Sequence, residues 1–298
     1  KGGALYYVSS LAYDSSSQVL FYTTDNNKWR DLNMVDVTTG ESRLLIQDAR
    51  TGDLAFNAAD KSLWGVRHFI GFSTLVRIPP PYTDWNQVYT LPYGKDLFDV
   101  DISPSGRTLT GAVAEVSGNQ KLIQMDVQKL LKGDHSSEII FDFESNSPAN
   151  FVFSPDGRYS LGTSYYSGVS NIFRYDFEKK SMVALTNCET GYFRPIPISD
   201  DSLMAFSYTG TGFVPVMLAN REQQNVSAIY FLGQAVVEKF PIVTQWKLDP
   251  PSESSINIDS LTTYAGEYSA FDNIKITSLY PMVEGYKDFA SFGLRMNA

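Results

Sequence analysis

Residues 151–187 read FVFSPDGRYSLGTSYYSGVSNIFRYDFEKKSMVALTN. At their centre Ser154-Pro155-Asp156-Gly157 forms a tight-turn signature between two short apolar runs. Proline presets φ at the second turn position, aspartate accepts local backbone hydrogen bonds, and glycine takes the positive φ that ends the turn. A third strand is expected over residues 171–176 and a fourth over residues 182–185. The stretch therefore reads as a four-stranded antiparallel meander.

Weaker copies fill most of the chain. The segments LAYDSSSQVLFYTT, LAFNAADKSLWGVR, VDISPSGRTLTGAV, FVFSPDGRYSLGTS and IPISDDSLMAFSY align on Asp14, Asn57, Ser103, Ser154 and Ser199, at spacings of 43, 46, 51 and 45 residues. A period of about 40–50 residues is that of four-stranded propeller blades. In each copy a second strand follows the turn: residues 19–23, 63–67, 109–114, 160–164 and 203–208. After a polar loop comes a third: residues 32–35, 75–78, 122–125, 172–175 and 214–218. Three of these end in Asp36, Asp126 and Asp176, each followed by an apolar residue, where a carboxylate can cap the next turn. Helical pattern is nearly absent, and residues 127–131 read as an inter-strand turn. The expected fold is all-β, a propeller of four-stranded antiparallel blades with five blades recognisable. A sixth could close from strands of the tail together with residues 5–8. A β-sandwich is the rival, but it does not predict a fixed repeat.

The totals narrow the function. The chain has 298 residues, 43% hydrophobic and 14% aromatic, with 18 tyrosines that suit strands. Its formal net charge of -9 and lack of any Lys/Arg run argue against nucleic acid, whose binding rests on phosphate neutralisation. The single Cys188 excludes an internal disulfide and a cysteine-based zinc site. No apolar run is long enough for a transmembrane helix.

The repeats resemble the TolB-like and WD40-like β-propeller families. Ser154-Pro155-Asp156-Gly157-Arg158, its near copy Ser103-Pro104-Ser105-Gly106-Arg107, and DVTTGE at residues 36–41 carry the resemblance, which covers roughly residues 9–233. The second copy departs from the pattern, and the fifth replaces the glycine turn with Ser199-Asp200-Asp201-Ser202. The resemblance implies a bacterial-envelope protein, periplasmic or associated with the outer membrane. Residues 1–233 are assigned to the blades and residues 234–298 to a linker and aromatic-rich tail. In that tail Pro250 and Pro251 mark the linker, and Tyr264, Tyr268 and Phe271 follow. The last residues alternate, with Ala290, Phe292, Leu294 and Met296 on one face. This tail either completes a blade or opens an outer-membrane β-barrel.

Propeller function usually sits on loops at one face. The loops between second and third strands supply the candidate binding rim: Trp29, Arg30, Arg67, His68, Glu115, Tyr165, Tyr166, Asn171, Tyr208 and Phe213. Arg, His, Trp and Tyr at equivalent positions could line a peptide-binding rim; the plain alternative is hairpin residues packed on adjacent blades. The loop at residues 165–171 is favoured, because its paired tyrosines and Gly168 exceed what a hairpin needs. No G-x-S-x-G elbow or H-E-x-x-H helix occurs, and the two histidines, His68 and His135, have no second His or Cys at ligand spacing. No catalytic residue, metal or cofactor is assigned. The expectation is a non-enzymatic scaffold that binds a protein, a peptide or a neighbouring domain of its own polypeptide. The alternative is the accessory or catalytic propeller of a peptidase-type hydrolase.

Overall fold

A computed structural model of the chain describes residues 8–25, 29–223, 239–245, 266, 267, 269, 274–286 and 289–298. Residues 5–7, Pro250, Pro251, Tyr264, Tyr268 and Phe271 lie outside the described residues. The chain forms two compact units, residues 1–250 and 251–298.

The first unit is a five-bladed β-propeller. Blade one comprises β1 (Val8–Asp14), β2 (Val19–Asp25), β3 (Arg30–Asp36) and β4 (Ser42–Ile46). Blade two comprises β5 (Thr51–Asn57), β6 (Ser62–Phe69), β7 (Phe72–Ile78) and β8 (Asn86–Thr90). Blade three has β9 (Lys95–Ile102), β10 (Thr108–Glu115), β11 (Gln120–Asp126) and β12 (Glu138–Asp142). Blade four has β13 (Pro148–Phe153), β14 (Tyr159–Ser164), β15 (Asn171–Asp176) and β16 (Ser181–Ala184). Blade five has three strands among the described residues, β17 (Tyr192–Pro197), β18 (Ser202–Thr209) and β19 (Gly212–Ala219). Each sheet is an antiparallel meander in chain order.

The innermost strands stand side by side around the axis: β5 packs between β1 and β9, and β13 between β9 and β17. The cores lie between blades, because each sheet buries both faces against its neighbours. One core joins Phe21 and Leu32 of blade one to Leu63 and Ile78 of blade two. Another sets Trp64 and Leu75 against Leu97 and Leu109. Phe143 and Phe151 fill the seam between blades three and four, and Leu161 meets Leu203 in the seam to blade five. Central strands consequently lose the half-buried alternation: residues 62–66 of β6 are buried without a break.

The turns behave as their chemistry requires. Gly106 and Gly157 take φ of 70° and 75°, and the N–H of each donates to the serine carbonyl three residues earlier at 2.8 Å. Asp36 Oδ1 accepts from the N–H groups of Thr38 and Thr39, and Asp176 Oδ1 from those of Glu178 and Lys179, at 2.8–3.0 Å. Asp126 does something further. Residues 127–131, expected as a turn, form a short helix, α1 (Val127–Leu131), with Asp126 as its N-cap accepting from Lys129 N at 2.9 Å. Val127 and Leu130, three apart on one helical face, are buried in the seam with blade two, and that burial favours helix over turn.

The expected sixth blade is not assembled from described residues. Val8 pairs with Thr24 inside blade one. In the second unit β20 (Ser278–Tyr286) and β21 (Phe289–Asn297) form a two-stranded antiparallel sheet, with no further strand partner among the described residues. Among the described residues no helix is long and apolar enough to cross a membrane.

Candidate functional site

The strand order puts all the loops between second and third strands at one face, together with the entry ends of the innermost strands. On this face the structure sorts the ten candidate residues into three groups.

Tyr165, Tyr208 and Phe213 come together. Phe193, on innermost strand β17, joins them: its ring lies 6.4 Å from Tyr165 and 5.3 Å from Phe213, both T-shaped, and Tyr208 lies 5.4 Å from Phe213. Edge-to-face packing satisfies the ring quadrupoles, yet Tyr165, Tyr208 and Phe213 each leave half or more of their surface exposed. The cluster spans blades four and five.

A second group spans blades one and two. The Arg50 guanidinium sits 3.5 Å over the Trp29 ring and 4.6 Å from that of Phe69; Arg67 lies 5.4 Å from Phe69 and 4.6 Å from Trp85. Burial and the neighbouring Arg50 charge push the Arg67 pKa down. Arg30 is turned aside, with Nε 3.1 Å from Asp25 Oδ1. His68 Nδ1 is 3.2 Å from Ser73 Oγ, and Nε2 is 3.9 Å from Asp53 Oδ2. This is not a nucleophile pair. Ser73 is fully buried and donates its hydroxyl hydrogen to Asp96 Oδ1 at 3.0 Å.

The third group holds the fold together. Glu115 lies between Lys95 and Lys121, at 2.9 and 3.3 Å; burial would raise its pKa, but the two ammonium groups bring it down. Tyr166 packs edge-on to Phe141, Phe143 and Phe173. Burial, then Glu144 and Asp142, push its hydroxyl pKa up. Asn171 is fully buried; Oδ1 accepts from Thr186 Oγ1 and Cys188 N, and Nδ2 donates to Ser167 Oγ at 2.8 Å. Burial raises the Cys188 thiol pKa, so a reactive thiolate is disfavoured.

Sequence reasoning missed the axial channel. Each of β5, β9, β13 and β17 carries a register shift on its way through the sheet. At each shift one non-glycine residue takes a left-handed conformation: Asp53 (φ 48°), Asp99 (48°), Asn150 (53°) and Arg194 (50°). The bulges knit the ring. Leu54 N donates to Ser10 Oγ at 2.7 Å, Asp99 N to Asp53 Oδ1 at 3.1 Å, and Asn150 N to Asp99 Oδ2 at 2.8 Å. Together they line a cavity of about 530 Å³ that reaches from Ser10 of blade one to Arg194 and Phe206 of blade five. Burial raises the Asp99 pKa; the Asn150 N–H opposes this, Asp53 adds to it, and Arg194 draws it back. At the opposite face, a cavity of about 340 Å³ is bordered by the Ser103 and Ser154 turns and by Asp101, whose pKa burial pushes up to about 6. A signal was present in the repeat. Counting back four residues from the first four turn positions gives Ser10, Asp53, Asp99 and Asn150, and five back from Ser199 gives Arg194. All are polar within apolar strands.

The aromatic cluster and the channel lining meet on β17, where Phe193 of the cluster is followed by Arg194 of the lining. Half-exposed aromatic rings beside paired carboxylates and one guanidinium suit a bound chain with apolar and charged groups. Among the described residues no group of three His, Cys, Asp or Glu side chains could hold a metal ion.

No protein-family model matches the sequence, and no curated protein matches it. Solved structures do. TolB from Acinetobacter baumannii aligns at TM-score 0.58 and 14% identity, over 73% of this chain and 55% of that one. The chain thus spans about half the length of that relative. A TolB-type structure from Agrobacterium tumefaciens aligns at 0.56 and 15% identity, over 68% of this chain and 70% of its own. A chain of a nidogen/laminin complex aligns at 0.54 and 9%, over 76% of this chain and 83% of its own. At these identities the likeness establishes a TolB-like propeller fold.

Proposed function

We propose that this propeller is a non-enzymatic binding module of the bacterial cell envelope, which holds an extended segment of a partner protein, or of a neighbouring domain, across its loop face. The observation that carries the reading is the half-exposed cluster of Tyr165, Tyr208 and Phe213 on Phe193, one residue along β17 from Arg194 of the polar channel. Exposed aromatic anchors next to polar groups that fix orientation are the usual make-up of a protein-recognition hot spot. The likeness to two bacterial TolB propellers supports the envelope location, and the nidogen/laminin complex is a propeller of similar shape found in a protein–protein assembly. A serine-nucleophile reading of the His68–Ser73 pair finds no support, since the buried Ser73 is committed to Asp96.

The test is site-specific photocrosslinking in cells producing the full-length protein. A photoreactive phenylalanine analogue is placed at Tyr165, Tyr208 or Phe213, with exposed Glu178 as control. Discrete adducts from the three rim positions, absent from Glu178, are expected. Adducts equal at all four positions, or at none, would sink the reading.

A further inference from the structure

The β20–β21 hairpin carries a feature the propeller does not need. Directly paired residues of an antiparallel ribbon share a face. The register pairs Leu279 with Met296, Pro281 with Leu294, and Val283 with Phe292. These six make one apolar face along the ribbon, and five of them are strongly exposed: Phe292 at 79%, Leu294 at 75%, Val283 at 66%, Leu279 at 62% and Met296 at 59%. Of the pairs on the other face, Ser278 with Asn297, Tyr280 with Arg295 and Glu284 with Ser291 supply polar and charged groups, with Met282 and Gly293 set between them.

We propose that this hairpin contributes two neighbouring strands to a transmembrane β-barrel, with the Leu279–Phe292 face against lipid hydrocarbon and the Arg295–Glu284 face toward an aqueous lumen. Three observations favour lipid over a protein partner. Each strand has nine residues, and a tilted membrane strand needs about 9–11. The apolar face extends to Gly285 and Ala290 with no charged residue, whereas a protein-docking patch is rimmed by polar groups. Finally, both outer edges of the ribbon are without a strand partner among the described residues. A lone two-stranded ribbon is marginal in water, and within a bilayer its edges must continue into further strands. Alternation of apolar and polar faces over strands of this length is the pattern of a barrel wall. The inference uses the hairpin alone and is independent of the rim reading.

The test uses the full-length protein with Cys188→Ser, folded into phosphatidylcholine/phosphatidylglycerol vesicles whose acyl chains carry a nitroxide quencher. A single cysteine bearing an environment-sensitive fluorophore is placed by Val283→Cys, Phe292→Cys, Leu294→Cys, Glu284→Cys, Ser291→Cys or Arg295→Cys. Nitroxide quenching at least twofold stronger at the first three is expected, with aqueous iodide giving the reverse order. Quenching without alternation overturns the proposal. So does failure to associate with vesicles, or protection of the apolar face without lipid in a species of doubled mass, which would assign it to a second copy. As a check independent of labelling, Leu294→Lys is expected to lower vesicle association at least tenfold and Ser291→Lys less than twofold; equal effects would also overturn it.

Discussion

Asp99 of blade three accepts a 2.8 Å hydrogen bond at Oδ2 from the backbone N–H of Asn150 in blade four, while its own N–H donates to Asp53 of blade two. One residue thus joins three blades. Asp99→Ala leaves the Asn150 N–H without its acceptor in a site closed to most solvent, at a cost of about 1–3 kcal/mol. Asp99→Asn keeps an acceptor oxygen and is expected to lose less than half as much. Urea unfolding of the two variants decides; equal losses would remove the hydrogen bond as the cause.

Asp101 gives stability a pH dependence. Burial sets its pKa near 6, against the N–H groups of Phe153 and Ile102, the first donating at 2.7 Å. The folded value lies above the unfolded one, so folding favours the neutral acid. That contribution is complete below about pH 4 and is lost as pH rises through 6, to a total of about 3 kcal/mol. Asp101→Asn is expected to flatten the stability curve between pH 4.5 and 7.5, measured by denaturant titration at both ends. An unchanged slope would refute the assignment.

Asp14 acts in the opposite sense. Burial alone would raise its pKa, but the hydroxyls of Ser17 and Ser16, the Ser16 N–H and the Lys61 ammonium hold it at about 2. Its contribution is present above about pH 4 and is lost as pH falls through 2, at about 2–3 kcal/mol. Acid unfolding of a Ser17→Ala variant is expected to have its midpoint at higher pH than that of the native chain. A midpoint that stays put would show the hydroxyl to be idle.

Tyr165 and Tyr166 are adjacent yet have different roles. Tyr165→Ser removes an exposed ring and is expected to change stability by less than about 0.5 kcal/mol. Tyr166→Ser opens the Phe141–Phe143–Phe173 cluster and is expected to cost about 2 kcal/mol or more. Thermal unfolding of both variants separates rim from core.

Gly162 packs against Phe151, and a Cβ there would clash with the ring. Gly162→Ala is expected to destabilise by about 1–3 kcal/mol through overpacking, and Phe151→Leu in the same chain to restore part of it. A calorimetric double-mutant cycle reads the coupling; additive losses would contradict it.

Much of this was readable in the sequence, for identifiable reasons. The Ser-Pro-Asp-Gly turn and the Asp36, Asp126 and Asp176 caps act locally, so residue type and spacing specify them. The five second strands were placed within two residues of their observed ends, because turns bound them on both sides. The rim was readable only in part. Tyr165, Tyr208 and Phe213 meet through Phe193, a residue of another strand, and no local pattern announces that. Tyr166, Asn171 and Glu115 looked alike as loop residues, but contacts with sequence-distant Phe143, Thr186 and Lys95 decide their roles. The channel is hard to read from sequence because a bulge, which no fixed residue type marks, turns one polar residue of each of four innermost strands toward the axis.

The left-handed residue on four of the innermost strands has an evolutionary consequence. Its backbone geometry comes from the bulge, and on Asp53 and Asp99 the side chain that lines the bore also accepts the N–H of the next blade's bulge residue. Asp, Asp, Asn and Arg occupy that one structural slot. Substitution at Asp53 or Asp99 therefore changes the charge of the lining and the tie to the next blade together. What the bore accepts and how firmly neighbouring blades are joined are thus set by the same residues, so a change in the one carries a change in the other.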